Sequence, residues 1–145
     1  MTTLKSINPA TEELFAEFKE IDLLSTEEII EKSSNSQKQW SSVNIEKRIK
    51  IISEIADFVK ENKESFGKII TNEMGKPIIE SIAEVEKCVW LCEYYADNGI
   101  NFLAEQNINS DADRSFVSFE PLGVILGVMP WNFPFWQVFR FAVPA

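Results

Sequence analysis

The chain has 145 residues, of which 45% are hydrophobic and 26% are charged, so it is long enough for one domain with a core and too apolar for a disordered segment. Its formal net charge of −9 argues against nucleic acid as a partner, because nucleic acid phosphates require a basic face. The absence of histidine excludes Ser–His and Cys–His nucleophile pairs and histidine metal sites, so we predict no metal, and two cysteines do not make a disulfide framework.

The amino-terminal residues, MTTLKSINPATEE, lack the basic and apolar regions of a secretory signal, so we expect a cytoplasmic location. Residues 6–22 alternate briefly between apolar and polar side chains around an Asn-Pro turn signal, which predicts a short hairpin or two edge strands. Ser25 stands three residues before Glu28, which predicts a capping box at the start of a helix that ends near Trp40.

Three further helices are predicted from apolar residues at helical spacing. The first carries a stripe from Ile45 to Val59, and the second runs to Met74, with Gly75 suited to the position after its end. The third spans residues 77–98, with Pro77 at its first position. Its predicted buried stripe is Ile78, Ile82, Val85, Val89 and Cys92, and its predicted solvated face is Glu80, Glu84 and Lys87. We interpret Cys88 and Cys92, four residues apart on this helix, as small core residues.

The sequence changes character after a polar loop at residues 107–114. Residues 115–120 alternate as a strand does, and residues 121–129 form a continuous apolar run flanked by glycine and proline. Such a run is typical of a strand that is buried on both faces of a parallel sheet. The pattern therefore predicts an α/β fold in which helices come first and a parallel sheet begins near residue 121.

The uncharged stretch at residues 121–139 is close to the length of a membrane span, so a membrane helix is an alternative. Pro130 and Pro134, with Asn132 between them, would interrupt such a helix and leave backbone groups unpaired in hydrocarbon. A strand, a turn and a helix inside a soluble core explain the same residues without that cost. We therefore predict no membrane association.

The pentapeptide PWNFP at residues 130–134 directly follows the predicted strand. Ligands of α/β sheets bind at the carboxyl ends of strands, so Asn132 would lie where a substrate binds, on a turn stiffened by two prolines. Its amide can donate a hydrogen bond to an oxygen that gains negative charge. Phe133, Gln137 and Arg140 follow at steps of four and three and share one helical face. Arg140 is the one charged residue in 121–145, and it either pairs with an internal carboxylate or binds an anionic ligand.

The segment EPLGVILGVMPWNFP at residues 120–134 resembles the signature stretch of the aldehyde dehydrogenase superfamily. INPATEE at 7–13, EMGKP at 73–77 and AEV at 83–85 resemble the same family in the same order, so the resemblance covers the whole chain. It implies an aldehyde dehydrogenase-like fold in which residues 1–145 form the amino-terminal helices and the start of a Rossmann-type cofactor-binding domain, incomplete as it stands.

The resemblance implies oxidation of an aldehyde by NAD or NADP through a cysteine thiohemiacetal, followed by hydrolysis of the acyl-enzyme. Asn132 corresponds to the oxyanion-hole amide of the family, and Phe133 and Gln137 correspond to residues of the aldehyde tunnel. Arg140 stands nine residues after the motif tryptophan, where succinate-semialdehyde dehydrogenases carry an arginine that binds the distant carboxylate, and this favours the anionic ligand. The turn that borders the cofactor corresponds to Met129, Pro130, Trp131 and Asn132.

Residues 1–145 do not contain the family's later motifs, namely the cofactor lysine, the glycine-rich turn, the glutamate base and the nucleophilic cysteine. We therefore expect this chain to be inactive alone. The resemblance implies that its full-length form is a homo-oligomer, a dimer or a tetramer, that takes a small aldehyde. An alternative is a non-catalytic truncated homologue that binds full-length subunits. The choice between NAD and NADP stays open.

Overall fold

A computed structural model describes residues 3–145 and shows a mixed helix-and-strand architecture. The elements, in chain order, are β1 (Thr3–Ile7), β2 (Leu14–Lys19), α1 (Leu23–Ser41), α2 (Ile45–Glu61), α3 (Lys63–Met74), α4 (Ile78–Leu103), β3 (Gln106–Asn107), β4 (Phe116–Val117) and α5 (Pro134–Ala142). The strands form two separate two-stranded sheets, β1 with β2 and β3 with β4, and both pairs are antiparallel.

The hairpin predicted near the amino terminus is confirmed. β1 pairs with β2 from Thr3 opposite Lys19 onward, with an irregularity after Ser6. The Asn-Pro signal works as a turn because the side-chain oxygen of Asn8 accepts a hydrogen bond from the backbone N–H of Ala10 at 2.9 Å. Backbone hydrogen bonds between Asn8 and Glu13 and between Glu12 and Asn8 close the reversal.

The start of α1 differs from the predicted capping box. Asp22 is the N-cap, and its carboxylate accepts a hydrogen bond from the backbone N–H of Ser25 at 2.7 Å. That hydrogen bond lowers the pKa of the Asp22 carboxyl. The capping box at Ser25 is therefore wrong, because the helix has already begun at Leu23. The predicted end near Trp40 is confirmed, since α1 ends at Ser41.

The hydrophobic core lies between α2, α3 and α4, and α5 packs against it. Its buried residues are Ala56, Val59, Ile70, Val85, Val89 and Cys92, and the aromatic rings packed against them include Phe66, Phe135 and Phe139. The helices approach closely at Gly67, where an added Cβ would lie 2.7 Å from the side chain of Ile82. The predicted helical stripe of α2 is confirmed in Ala56 and Val59.

Helix α4 is longer than predicted, and it buries the carboxylate of Glu84, which the sequence pattern assigns to the solvated face. It begins at Ile78, with Pro77 as its cap residue, and continues to Leu103 rather than Asn98, because apolar residues go on beyond that point. Glu84 is only 5% exposed, so its assignment to the solvated face is wrong. Ile78 is 39% exposed, so it is not part of the buried stripe.

The strand predicted at residues 121–129 does not form, and within 115–120 only β4 pairs. Leu122, Leu126 and Val128 are 94%, 88% and 86% exposed. A strand requires a neighbour to satisfy its backbone groups, and residues 3–145 supply none beside this segment. The apolar pattern of residues 121–129 would therefore correspond to a buried strand only beside a neighbouring strand of the same sheet.

Within residues 3–145, no helix has the length and apolar character that crossing a membrane requires. The uncharged stretch at 121–139 is an irregular segment followed by the first turns of α5.

Candidate functional site

The segments that carry the family resemblance meet around the turn at residues 130–133. In the hairpin, the Ser6 hydroxyl donates a hydrogen bond to the carboxylate of Glu73 at 3.1 Å. Pro9 packs so closely on Gly75 that an added Cβ there would lie 2.9 Å from the proline ring. An open cavity joins the hairpin and the end of α3 to Trp131. Residues that are distant in sequence therefore form one neighbourhood.

Gly75 sets the direction of the chain between α3 and α4. Its φ of +74° lies in the left-handed region, and its N–H donates to the carbonyl of Thr71 at 2.9 Å, which closes α3. The predicted role of Gly75 as the helix-ending glycine is confirmed. The chain then leaves α3 so that the next residue, Lys76, reaches the turn.

Glu84 of α4 caps the amino terminus of α5. One oxygen of its carboxylate, Oε1, accepts hydrogen bonds from the backbone N–H groups of Phe135 at 2.9 Å and Trp136 at 3.1 Å. These N–H groups belong to the first turn of α5, which has no cap from the residue that precedes it. The negative charge also lies at the positive end of the helix dipole.

Lys76 completes this arrangement. Its Nζ atom lies 2.5 Å from Oε2 of Glu84, and both side chains are buried, at 9% and 2% exposed. The same ammonium donates to the backbone oxygen of Asn132 at 3.2 Å and lies 3.8 Å above the ring of Phe133. The sequence prediction missed both Lys76 and Glu84. The signal that could have identified them is their position in the GKP and AEV segments.

The predicted substrate residues are brought together. Asn132, Phe133, Gln137 and Arg140 line one open cavity of about 570 Å³ between α4 and α5. Lys87 of α4 lines the same cavity, with its Nζ atom 3.9 Å above the ring of Trp136. Lys87 is exposed, in agreement with its predicted place on the solvated face of α4. That face also borders this cavity.

Arg140 forms no ion pair with any carboxylate among residues 3–145. The two carboxylates that line its cavity belong to Glu80 and Glu84, and Glu84 is already paired with Lys76. Of the two alternatives for Arg140, an internal carboxylate partner is therefore not found in the described chain. An unpaired guanidinium beside an open cavity is suited to an anionic ligand.

Asn132 lies on a turn between Pro130 and Pro134, as predicted, but it does not follow a buried strand. The residue is exposed, and within the described residues no hydrogen bond engages its side-chain amide. Its backbone is held instead, through the bond from Lys76. The amide can thus donate to an added oxygen without breaking a hydrogen bond to protein.

Two of the four predicted cofactor residues, Met129 and Pro130, lie beside this cavity. Met129 and Pro130 line a neighbouring cavity of about 470 Å³ that shares Gln137 and Arg140 with it. Trp131 is 78% exposed and faces the hairpin. The lining of the cavity at Met129 contains no carboxylate, so nothing there repels the phosphates of a dinucleotide.

The two cysteines lie in the core, as predicted. Cys88 and Cys92 are both fully buried in α4. Burial raises the pKa of Cys88 to about 12 and that of Cys92 to about 11, so both thiols stay protonated at neutral pH. A protonated buried thiol is neither a nucleophile nor a metal ligand.

Comparison with known proteins places these features in one family. The model of the aldehyde dehydrogenase family matches residues 1–145. The chain is 38% identical over 142 residues to a probable succinate-semialdehyde dehydrogenase [NADP(+)] of Synechocystis, covering 98% of this chain and 31% of that protein. It is 36% identical over 139 residues to the succinate semialdehyde dehydrogenase [NAD(P)+] Sad of Escherichia coli, covering 96% of this chain and 30% of that protein.

A solved structure agrees with this match. Succinic semialdehyde dehydrogenase from Streptococcus pyogenes, in complex with NADP+, superimposes with a TM-score of 0.89 at 28% identity. The superposition covers 94% of this chain and 30% of that one. The chain thus spans about a third of the length of the relatives that it matches. The aldehyde dehydrogenase-like fold predicted from the sequence is confirmed, as an incomplete part of that fold.

Proposed function

Since the chain belongs to the aldehyde dehydrogenase family, we propose that it forms the amino-terminal part of an enzyme that oxidises succinate semialdehyde to succinate with NAD(P)+. The observation that supports this substrate is the position of Arg140. Its guanidinium has no carboxylate partner in the described chain and lies in the same cavity as Asn132. The overall reaction consumes the aldehyde, water and NAD(P)+ and yields the carboxylate, NAD(P)H and two protons.

Asn132 is the proposed catalytic residue of this chain. As a nucleophile adds to the aldehyde carbon, the carbonyl oxygen becomes tetrahedral and negative, and a side-chain amide can donate a hydrogen bond to it. The amide of Asn132 is free for this purpose, and the turn that carries it is held by Lys76. Because the backbone of this turn is already fixed, less reorganisation is needed when the oxygen becomes negative in the transition state.

Arg140, Phe133 and Gln137 are the proposed substrate-binding residues. Succinate semialdehyde carries an aldehyde at one end and a carboxylate at the other, so its site requires an amide donor and a cation within one cavity. Asn132 and Arg140 meet this requirement, and the planar guanidinium can bind both carboxylate oxygens. Phe133 and Gln137 line the same cavity.

Met129, Pro130, Trp131 and Asn132 are proposed to border the cofactor. The carboxylate-free cavity beside Met129 and Pro130 and the exposed indole of Trp131 fit the edge of a site for an anionic dinucleotide. The bound cofactor supplies the acceptor for the hydride that leaves the aldehyde carbon. NADP is named for the Synechocystis relative and is present in the Streptococcus pyogenes structure, and NAD(P) is named for the Escherichia coli one, so both dinucleotides are candidates.

The proposal can be tested in an assembled enzyme, in which residues 1–145 replace the matching segment of the Synechocystis relative. NAD(P)H formation is followed with succinate semialdehyde and with butanal, an aldehyde of the same length that lacks the carboxylate. We expect kcat/KM for succinate semialdehyde to exceed that for butanal by about 10-fold or more, as one charged hydrogen-bonded contact warrants. Equal kcat/KM values, or no NAD(P)H from any aldehyde while the parent relative is active, would refute the proposal.

A second candidate function is binding to full-length subunits without catalysis. The strongly exposed apolar side chains Leu122, Leu126 and Val128 favour a protein contact at this segment. Mixing the purified chain with the intact Synechocystis relative and measuring a mixed species by size-exclusion chromatography tests it. The homo-oligomer and the cytoplasmic location expected from the sequence stay predictions.

A further inference from the structure

We propose that the buried ion pair between Lys76 and Glu84 is a positioning device that sets the place of Asn132 relative to α4. The proposal rests on the function proposed above for Asn132. It assigns a positioning role to Lys76 and Glu84, which are not among the catalytic, substrate-binding or cofactor residues proposed above. They act through the turn at residues 130–133 and the first turn of α5.

Glu84 fixes the helix that follows the turn. Its side chain is 2% exposed, and Oε1 binds the backbone N–H groups of both Phe135 and Trp136. Two bonds to adjacent N–H groups determine where the axis of α5 starts and in which direction it points. Because Glu84 belongs to α4, whose residues Val85, Val89 and Cys92 lie in the core, the start of α5 is held against the packed core.

Lys76 fixes the turn itself. The ammonium is bound by Oε2 of Glu84, by the backbone oxygen of Asn132 and by the face of the Phe133 ring. On one side of Lys76, Gly75 permits the left-handed φ of +74°, and on the other side the ring of Pro77 fixes φ. The carbonyl of Asn132 is thereby tied to the same carboxylate that caps α5.

The burial of this pair points to positioning rather than stability. Removing two charges from water is costly, and apolar residues of similar volume often give equal or greater stability. A second ion pair of α4, between Lys63 of α3 and Glu86, joins its atoms at 2.6 Å but lies in solvent, at 37% and 52% exposed. The two pairs therefore offer a comparison in which only one of them contacts the turn.

Hydrogen–deuterium exchange of the full chain, read residue by residue by mass spectrometry, tests the proposal without requiring activity. The test variant is Lys76→Met/Glu84→Leu, which leaves no buried charge, and Lys76→Met/Glu84→Gln is the conservative rescue because it keeps a side-chain oxygen for the two N–H groups. Lys63→Met/Glu86→Gln is the matched control. We expect exchange at Phe135 and Trp136 to rise by about 10-fold or more in the test variant.

At these two amides, the rescue variant should recover part of the lost protection, and the control variant should exchange at the original rate. In the test variant, the amides at the centre of α4 should keep their original exchange rates. A rise that is equal in α4 and α5 would mean general destabilisation and would overturn the proposal. Unchanged exchange at Phe135 and Trp136 would overturn it as well. Neither result depends on whether succinate semialdehyde is the substrate.

The assembled enzyme gives the functional counterpart. We expect the test variant to lower kcat by about 10-fold or more while the dissociation constant of the cofactor changes by less than about 2-fold, because the loss falls on the transition state. If kcat falls only in proportion to the loss of folded enzyme, the result would contradict a positioning role. An assembled enzyme that fails to oxidise any aldehyde would refute the proposed function, whereas the exchange data would still decide the role of the pair.

Discussion

The Nζ atom of Lys76 lies 3.2 Å from the backbone oxygen of Asn132, so two residues that are 56 positions apart in sequence are joined by one hydrogen bond. Lys76 also pairs with Glu84, whose other oxygen caps α5. The turn that presents the Asn132 amide is therefore held at its carbonyl and at the helix that follows it. This arrangement links a helix-ending glycine, a buried charge and the proposed oxyanion donor.

Arg140 should determine the preference for a carboxylate-bearing aldehyde. In the assembled enzyme, Arg140→Met is expected to lower kcat/KM for succinate semialdehyde by about 10- to 100-fold, the effect of one charge-assisted contact, and to leave that for butanal nearly unchanged. Steady-state kinetics with both aldehydes measure this. The control is Arg114→Met, which removes a guanidinium paired with Glu105 on the exposed β3–β4 connection. An equal loss with both aldehydes would remove Arg140 from the substrate site.

Gly75 should tolerate no side chain. Gly75→Ala would force an L residue to a φ of +74° and place a Cβ 2.9 Å from the ring of Pro9, so we expect the free energy of unfolding to fall by about 1–2 kcal/mol. Gly99→Ala, inside α4, is the matched control, because its Cβ would lie at an ordinary 3.6 Å from Ile49 of α2. Alanine is favoured over glycine inside a helix by about 0.5–1 kcal/mol. Urea unfolding measures both. Equal effects of the same sign would contradict the backbone argument.

The buried thiols should make stability fall at alkaline pH. Burial raises the pKa of Cys88 to about 12 and that of Cys92 to about 11, from the ordinary 9.0. Above pH 9.0 the unfolded state therefore holds fewer protons on these thiols than the folded state does. The free energy of unfolding should therefore decrease as pH rises from 9 towards 11, with a slope that approaches about 1.4 kcal/mol per pH unit for each thiol.

Urea unfolding of the chain and of a Cys88→Ala/Cys92→Ala variant over this pH range measures the thiol contribution. The variant lacks both thiols, so its slope should be smaller, and every other side chain is common to both proteins. Identical slopes would show that the thiols do not titrate differently in the two states.

Local patterns were sufficient to predict helices α2, α3 and α4 and the amino-terminal hairpin. The apolar spacing of α2 and α4, the glycine after α3 and the Asn-Pro turn of the hairpin depend on neighbours along the chain, and these predictions are confirmed. The helical spacing of Phe133, Gln137 and Arg140 likewise places them in one cavity.

Features that depend on distant partners could not be predicted in this way. Glu84 has the spacing of a solvated residue, and only the N–H groups of α5 and the ammonium of Lys76 make its burial favourable. The run at 121–129 has the composition of an interior strand, but residues 3–145 supply no neighbouring strand to pair with it. Sequence periodicity reports which face is apolar, and it does not report which partner is present.

The central claim is that the side chain of Asn132 donates a hydrogen bond to the oxygen that becomes negative during aldehyde oxidation. The most direct measurement is kcat of the assembled enzyme with Asn132→Ala, together with the dissociation constant of the cofactor. We predict a fall in kcat of roughly 10²–10³-fold, with cofactor binding changed by less than about 2-fold. A kcat within about 3-fold of the unsubstituted enzyme, under conditions where chemistry limits the rate, would contradict the claim.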